Sequence, residues 1–366
     1  MNPEIRFIIR CEPGKMKKFE VDKYFRRNPP ELLDTGNYRT AVVIPAFDEL
    51  EELPETLRIL RCAGGIEKCA VIVVVNHPAG HDSRNSLELL KKLQELDVYT
   101  IYLPELSGGA GAARKAGMDA FLASQNPEDM EKCVIFSLDA DTFVESDYLH
   151  KGIPAVLKYG TVTFDFAHRR SDDERQQQAI IRYEAYLRRY VEKLRKAGSP
   201  YAFFTVGSAF AVRGDIYLRC GGMKVREAGE DFYFLQAAAK VAGVVPCPDV
   251  VVHPSPRFSH RVPFGTGPAV RELVSGGSLP EIPDSAFDIL QNVLAAVSDE
   301  SLTGSEKFVA GLPEKAADFF RREKFLTIWP KVLENLPDRQ GAASKAFHEW
   351  FDGLKTLRFL HFQADF

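Results

Sequence analysis

Four short apolar runs constrain the fold of this 366-residue chain more than any other feature: Ala41-Val42-Val43-Ile44, Val71 to Val75, Val98 to Leu103 and Val134 to Leu138. Runs without alternation suit strands buried on both faces of a parallel sheet. Helical patterns around 50–62, 83–96 and 110–124 separate them. Repeats of this length predict right-handed crossovers, with ligands at the C-terminal edge of the strands. The rhythm then changes. Ile180, Tyr183, Leu187, Tyr190, Val191 and Leu194 recur at helical spacing and predict a long helix over 172–196, stopped by Gly198-Ser199-Pro200. Further strands are expected near 203–212 and 244–252, and a mainly helical region beyond 270. There Phe347, Trp350, Phe351 and Leu354 form one apolar stripe expected in a core. The expected class is α/β, a mostly parallel sheet flanked by helices, with a helical C-terminal region. Residues 1–38 are an extension expected to pack on the core, 39–270 the α/β domain and 271–366 the helical region.

Composition narrows the partners. Hydrophobic residues make up 45% and charged residues 27%, enough apolar material for a sizeable core. Residues 1–270 hold 36 Lys and Arg against 36 Asp and Glu, so the net charge of −4 comes from the C-terminal part. No strongly basic face is implied, and nucleic acid or an anionic lipid surface is not expected as the main partner. No stretch of about 18 apolar residues exists to span a bilayer, which leaves peripheral contact open. The N-terminus, with Arg6 and Arg10 around a short apolar run, is not read as a signal peptide. Six cysteines at 11, 62, 69, 133, 220 and 247 contain no Cys-x-x-Cys pair and point to reduced thiols in a cytoplasm.

Four segments carry chemistry. Asp139-Ala140-Asp141 follows the strand CVIFSL directly, and two carboxylates at a strand end can reach one hard cation, Mn²⁺ or Mg²⁺. Such an ion would neutralise charge as a diphosphate departs. Glu230-Asp231 opens a predicted helix. A carboxylate there can take a proton from an attacking hydroxyl, with Phe232, Phe234 and Leu235 beside it to raise its basicity. The plain alternative is that both acids complement a helix N-terminus. Gly108 to Lys115 joins a strand to a helix with small residues that admit a diphosphate, Arg114 adding charge. It lacks the Walker A ending, and close packing alone would explain it. The run from Arg257 to Gly267 suits a loop closing on phosphate, with Arg257 or Arg261 on an anionic oxygen and His260 as a metal ligand. His253 is a competing ligand.

Taken in order, these pieces resemble the family 2 glycosyltransferases of the GT-A fold, over about 40–267. Val42-Val43-Ile44-Pro45-Ala46-Phe47-Asp48-Glu49 resembles the opening strand and turn, with Phe and Asp in place of Tyr and Asn. Gly111-Ala112-Ala113-Arg114 resembles the family's helix start, and Leu138-Asp139-Ala140-Asp141 its metal motif. Gly207 to Arg213, Cys220-Gly221-Gly222-Met223 and Gly229-Glu230-Asp231 resemble the acceptor-side run. Where the family has an Asp-Asp-Gly-Ser turn this chain has Asn76-His77-Pro78-Ala79-Gly80, so an amide replaces the acidic contact to the base and leaves base preference open. The Gln-x-x-Arg-Trp form of processive polymerases is also absent, which favours single addition.

The resemblance implies an inverting, metal-dependent transfer of a sugar from a nucleotide-diphosphate donor, a UDP- or GDP-sugar, to a hydroxyl of a glycan, lipid-linked or small-molecule acceptor. It gives Asp231 as base with Glu230 shaping its surroundings. Asp139 would meet ribose and metal, Asp141 the metal, and Arg114 the departing diphosphate. Pro45, Phe47, Glu49 and Asn76 would line the nucleoside pocket, with Gly207 and Ser208 bordering the sugar. The acceptor would be read by 165–200 and the C-terminal helices. Location in the cytoplasm goes with this reading, with peripheral contact to the inner face of a membrane left open. Three rivals stand beside it. A sugar-phosphate nucleotidyltransferase would carry a Gly-rich basic run after the first strand, where this chain has the acidic PAFDELEEL. A glycosidase would need two carboxylates and no metal. A non-catalytic nucleotide-sugar-binding protein would need no base.

Overall fold

The computed structural model describes residues 15–36, 38–258 and 265–365. Two compact units divide them, one formed by residues 15–184 and 203–277 and the other by 185–202 and 278–365.

The first unit is built on an eight-stranded sheet: β1 Thr40–Ala46, β2 Cys69–Asn76, β3 Tyr99–Leu103, β4 Val134–Ser137, β5 Phe143–Val144, β6 Thr161–Phe166, β7 Phe210–Arg213 and β8 Val245–His253. Their order is β3-β2-β1-β4-β7-β6-β8-β5. The four expected runs lie side by side, and β1 runs parallel to β2 and β4, as β2 does to β3. β2 is buried along its whole length and β1 nearly so, which is what unbroken apolar runs require. The other half is mixed. β7 is antiparallel to both β4 and β6, β6 is parallel to β8, and β5 is antiparallel to β8.

Helices α1 Lys18–Arg27, α2 Glu52–Leu60, α3 Arg84–Leu93, α4 Gly109–Ala123, α5 Tyr148–Tyr159, α6 Glu174–Lys196, α7 Gly214–Arg219, α8 Glu230–Val241 and α9 Thr266–Val274 complete this part of the chain. Residues 185–196 of α6 fall in the second unit. The strand expected over 203–212 forms only at Phe210–Arg213. β6 was not expected at all: Thr161-Val162-Thr163-Phe164-Asp165-Phe166 alternates polar with apolar residues, although nearly every position is buried.

α4 fixes the geometry of the site. A Cβ at its Gly117 would lie 2.6 Å from Val43 of β1 and 2.9 Å from Val74 of β2, so only glycine lets the helix lie this close to the sheet. Its far side is anchored by a buried polar cluster. Tyr24 of α1 and Tyr217 of α7 donate to Asp119 at 2.8 and 2.7 Å, and Lys115 donates to Asp119 at 2.6 Å.

The second unit is helical: α10 Asp284–Ala295, α11 Asp299–Thr303, α12 Ser305–Ala310, α13 Glu314–Arg322, α14 Phe325–Leu333, α15 Ala342–Trp350 and α16 Gly353–Gln363, with the end of α6. Its core is aromatic. Phe320 stacks on Phe347 and Phe351 at 6.1 and 5.6 Å, and Phe325 stacks on Trp329 at 5.1 Å. Trp329 is fully buried and donates its indole N–H to the Leu302 carbonyl at 2.9 Å, as a buried indole requires. Phe347 and Phe351 of the expected stripe lie in this core.

Candidate active site

Packing α4 on β1 and β2 brings its first turns to the C-terminal ends of the strands. Arg114, three residues before Gly117, is buried there, and its guanidinium donates to Asp139 on one side and Glu230 on the other. Three residues from three elements thus share one ion-pair chain. Burial works to discharge Arg114, but the two carboxylates outweigh it and hold the group firmly cationic. Asp139 keeps a side-chain exposure of 36%, so it also faces the open side of the site.

Gly207 closes over the same guanidinium. A Cβ there would lie 2.5 Å from Nη2 and 3.0 Å from Cζ of Arg114, and the Gly207 carbonyl accepts from the Ser137 hydroxyl at 2.6 Å. This contact explains why the expected strand starts only at Phe210: the chain bends around Arg114 first. Ser208 is buried beside it, with no partner for its hydroxyl. Gly207→Ala is expected to destabilise the protein by about 1–3 kcal/mol through overpacking. It should also weaken donor binding, because Arg114 has to move. Calorimetric melting and donor titration measure the two effects.

Asp231 follows Glu230 at the start of α8 and accepts the Phe232 backbone N–H at 2.7 Å. Its carboxyl is pushed up to about 7, chiefly by burial and then by the charge of Glu230, against the opposing pull of Arg114. The residue as a whole is half-buried. A carboxylate with a basicity near neutrality is matched to proton abstraction.

Asp141 is held separately. Arg257, in the loop after β8, donates its Nε to Asp141 at 2.7 Å and its Nη2 to the buried Glu49. Arg169 donates to the Asp141 carbonyl at 3.3 Å and to Glu52 at 2.8 Å, and lies 4.0 Å over the Phe143 ring. Arg169 carried no sequence signal; only its position after β6, itself unrecognised, would have pointed to it.

At the end of β1, Pro45 and Phe47 are partly buried, and the Phe47 ring meets the His81 ring edge-on at 4.8 Å. Asn76 ends β2, buried, with its amide donating to the Val74 carbonyl at 3.1 Å. His77 next to it is buried and bonds Tyr102 at 3.0 Å. His77 and His81, which show no ligand spacing in the sequence, therefore sit within a ring cluster at this end of the sheet. His253 has both ring nitrogens occupied, by the Ala167 carbonyl at 2.9 Å and Glu145 at 3.2 Å. His260 and Arg261 lie outside the described residues. Among the described residues no three His, Cys, Asp or Glu side chains gather as a ready metal cage.

Residues 41–220 match the family model described as Glycosyl transferase family 2. No curated protein matches the chain significantly. Among solved structures, residues 1–349 of S. aureus TarS in complex with UDP-GlcNAc are 13% identical, with 81% of this chain and 90% of that chain covered at a TM-score of 0.46. The mannosyltransferase PcManGT from Pyrobaculum calidifontis, in complex with GDP-Man and Mn²⁺, is 16% identical, with 95% and 86% covered at 0.41.

Proposed function

Because this chain is a family 2 glycosyltransferase, we propose that it moves one sugar from a nucleotide-diphosphate donor to an acceptor hydroxyl with inversion, using a divalent cation. The observation that carries the reading is the junction of Asp139, Arg114 and Glu230 next to Asp231, whose carboxyl is tuned near neutrality.

Asp231 takes the proton of the acceptor hydroxyl as that oxygen attacks the anomeric carbon. Glu230 spends its charge on Arg114 and keeps Asp231 basic. Arg114, caught between two carboxylates, is fixed in place before the diphosphate arrives, so its charge requires little reorganisation when the leaving group develops. Gly207 and Ser208 border the sugar, while Phe47, Asn76 and the His77–His81 rings offer flat and amide surfaces to the nucleoside. Pro45 and Glu49 shape the turn beneath.

The donor set at Asp139 and Asp141 is oxygen only and already draws positive groups, Arg114 and Arg257, to the two carboxylates. Hard carboxylates that attract cations fit Mg²⁺ or Mn²⁺. These two residues would hold the ion, and bound there it supplies Lewis-acid neutralisation of the diphosphate.

Titration calorimetry with UDP- and GDP-sugars, with and without Mn²⁺, tests the reading. Donor binding is expected to require the cation, and Asp141→Asn to weaken Mn²⁺ binding at least about tenfold, the size of effect seen on disturbing metal sites. Full donor binding and transfer in chelator would remove the metal from the proposal, and retained anomeric configuration would remove Asp231 as base.

A further inference from the structure

The balanced charge of the whole chain conceals a local cluster. Residues 15–27 contain six Lys and Arg against two acids. α1 winds this segment so that Val21 and Tyr24 turn inward, Tyr24 reaching Asp119 and Lys115 of α4. Residues three and four apart share a helix face, so Phe19, Lys23 and Arg26 line up on the opposite side. Lys18, Asp22 and Arg27 flank that row. Phe19 is 61% exposed, and Leu32, beyond the helix, is 96% exposed. Among the described residues none of Lys17, Lys18, Lys23, Arg26 or Arg27 is engaged in an ion pair.

We propose that the outward face of α1 docks on an anionic lipid surface. The basic side chains would meet headgroup phosphates, and the Phe19 ring would enter the interface between them. Charge complementarity supplies the attraction, since each Lys or Arg close to such a surface strengthens partitioning about fivefold. The exposed Phe19 ring at the head of the basic row distinguishes lipid from a nucleic acid, whose phosphates offer it no apolar layer. The contact is peripheral, because no helix among the described residues is long and apolar enough to cross a membrane. The docking face is independent of the transfer reaction and stands or falls without it.

The test is cosedimentation of the full chain with vesicles of phosphatidylcholine alone or mixed with phosphatidylglycerol. Binding is expected on the mixed vesicles only and should fall steeply as salt shortens the Debye length. Lys23→Gln with Arg26→Gln should weaken it about twentyfold. Phe19→Ser should weaken it about tenfold without changing the salt dependence. All three side chains are exposed, so the melting temperature checks that the fold is intact. Equal partitioning on both vesicle types, or no response to the paired substitution, overturns the proposal. So does indifference to Phe19→Ser together with displacement from vesicles by a single-stranded oligonucleotide, which would mark a general polyanion site.

Discussion

Asp231→Asn is expected to lower kcat by about 10²–10⁴, the usual contribution of a positioned base, while donor affinity stays near that of the wild type. The asparagine oxygen can still accept the Phe232 N–H, so the start of α8 keeps its shape. Stability should move the other way. The folded protein holds this carboxyl up to about 7 through burial, against an ordinary value near 3.8. Folding therefore favours the protonated form, and that contribution is complete below about pH 4 and lost as the pH rises through 7. The asparagine cannot lose it. In metal-free buffer the variant should melt above the wild type at pH 8, with the gap opening between pH 4 and 7 and then levelling off. Initial-rate assays and calorimetric melting across pH measure both parts. A variant with full transfer rate, or a gap that does not depend on pH, rejects the assignment.

Arg114→Leu should be the most damaging single change in the first unit. It strands Asp139 and the buried Glu230 without their shared cation, and breaking one side of a buried pair costs about 3–5 kcal/mol. Transfer should fall by about a further 10²–10³ where the fold survives, the range for removing one preorganised charge-stabilising donor. Arg114→Lys separates the roles. It keeps a positive charge but lacks the planar fork that reaches two carboxylates at once, so much of the stability should return and little of the rate. If Arg114→Lys transfers sugar normally, the forked contact is not what prepares the site.

Much of the candidate site's geometry was legible because it is local. Asp139 and Asp141 could be placed at a strand end from CVIFSL alone, and Arg114 in the first turns of a helix from the glycine-rich start of α4. The arginine contacts were not legible in the same way. Arg257 reaches Glu49 from 208 positions away, and Arg169 lies behind a strand whose Thr–Phe alternation disguised its burial. The whole-chain charge similarly hid the basic face of α1, because an average over 366 residues has no spatial resolution.

By itself the sequence determined the strands and helices of the parallel half of the sheet, since buried runs and helical periodicity are properties of neighbouring residues. It determined, too, which acidic pairs end a strand or begin a helix. Only the tertiary structure decided that Arg114 would lie between Asp139 and Glu230, that Gly207 would press against it, and that Arg257 would clasp Asp141. Those contacts arise from how closely α4 approaches β1 and β2 and from how the mixed half of the sheet folds back. Both depend on packing between residues far apart in the chain, which short-range pattern does not encode.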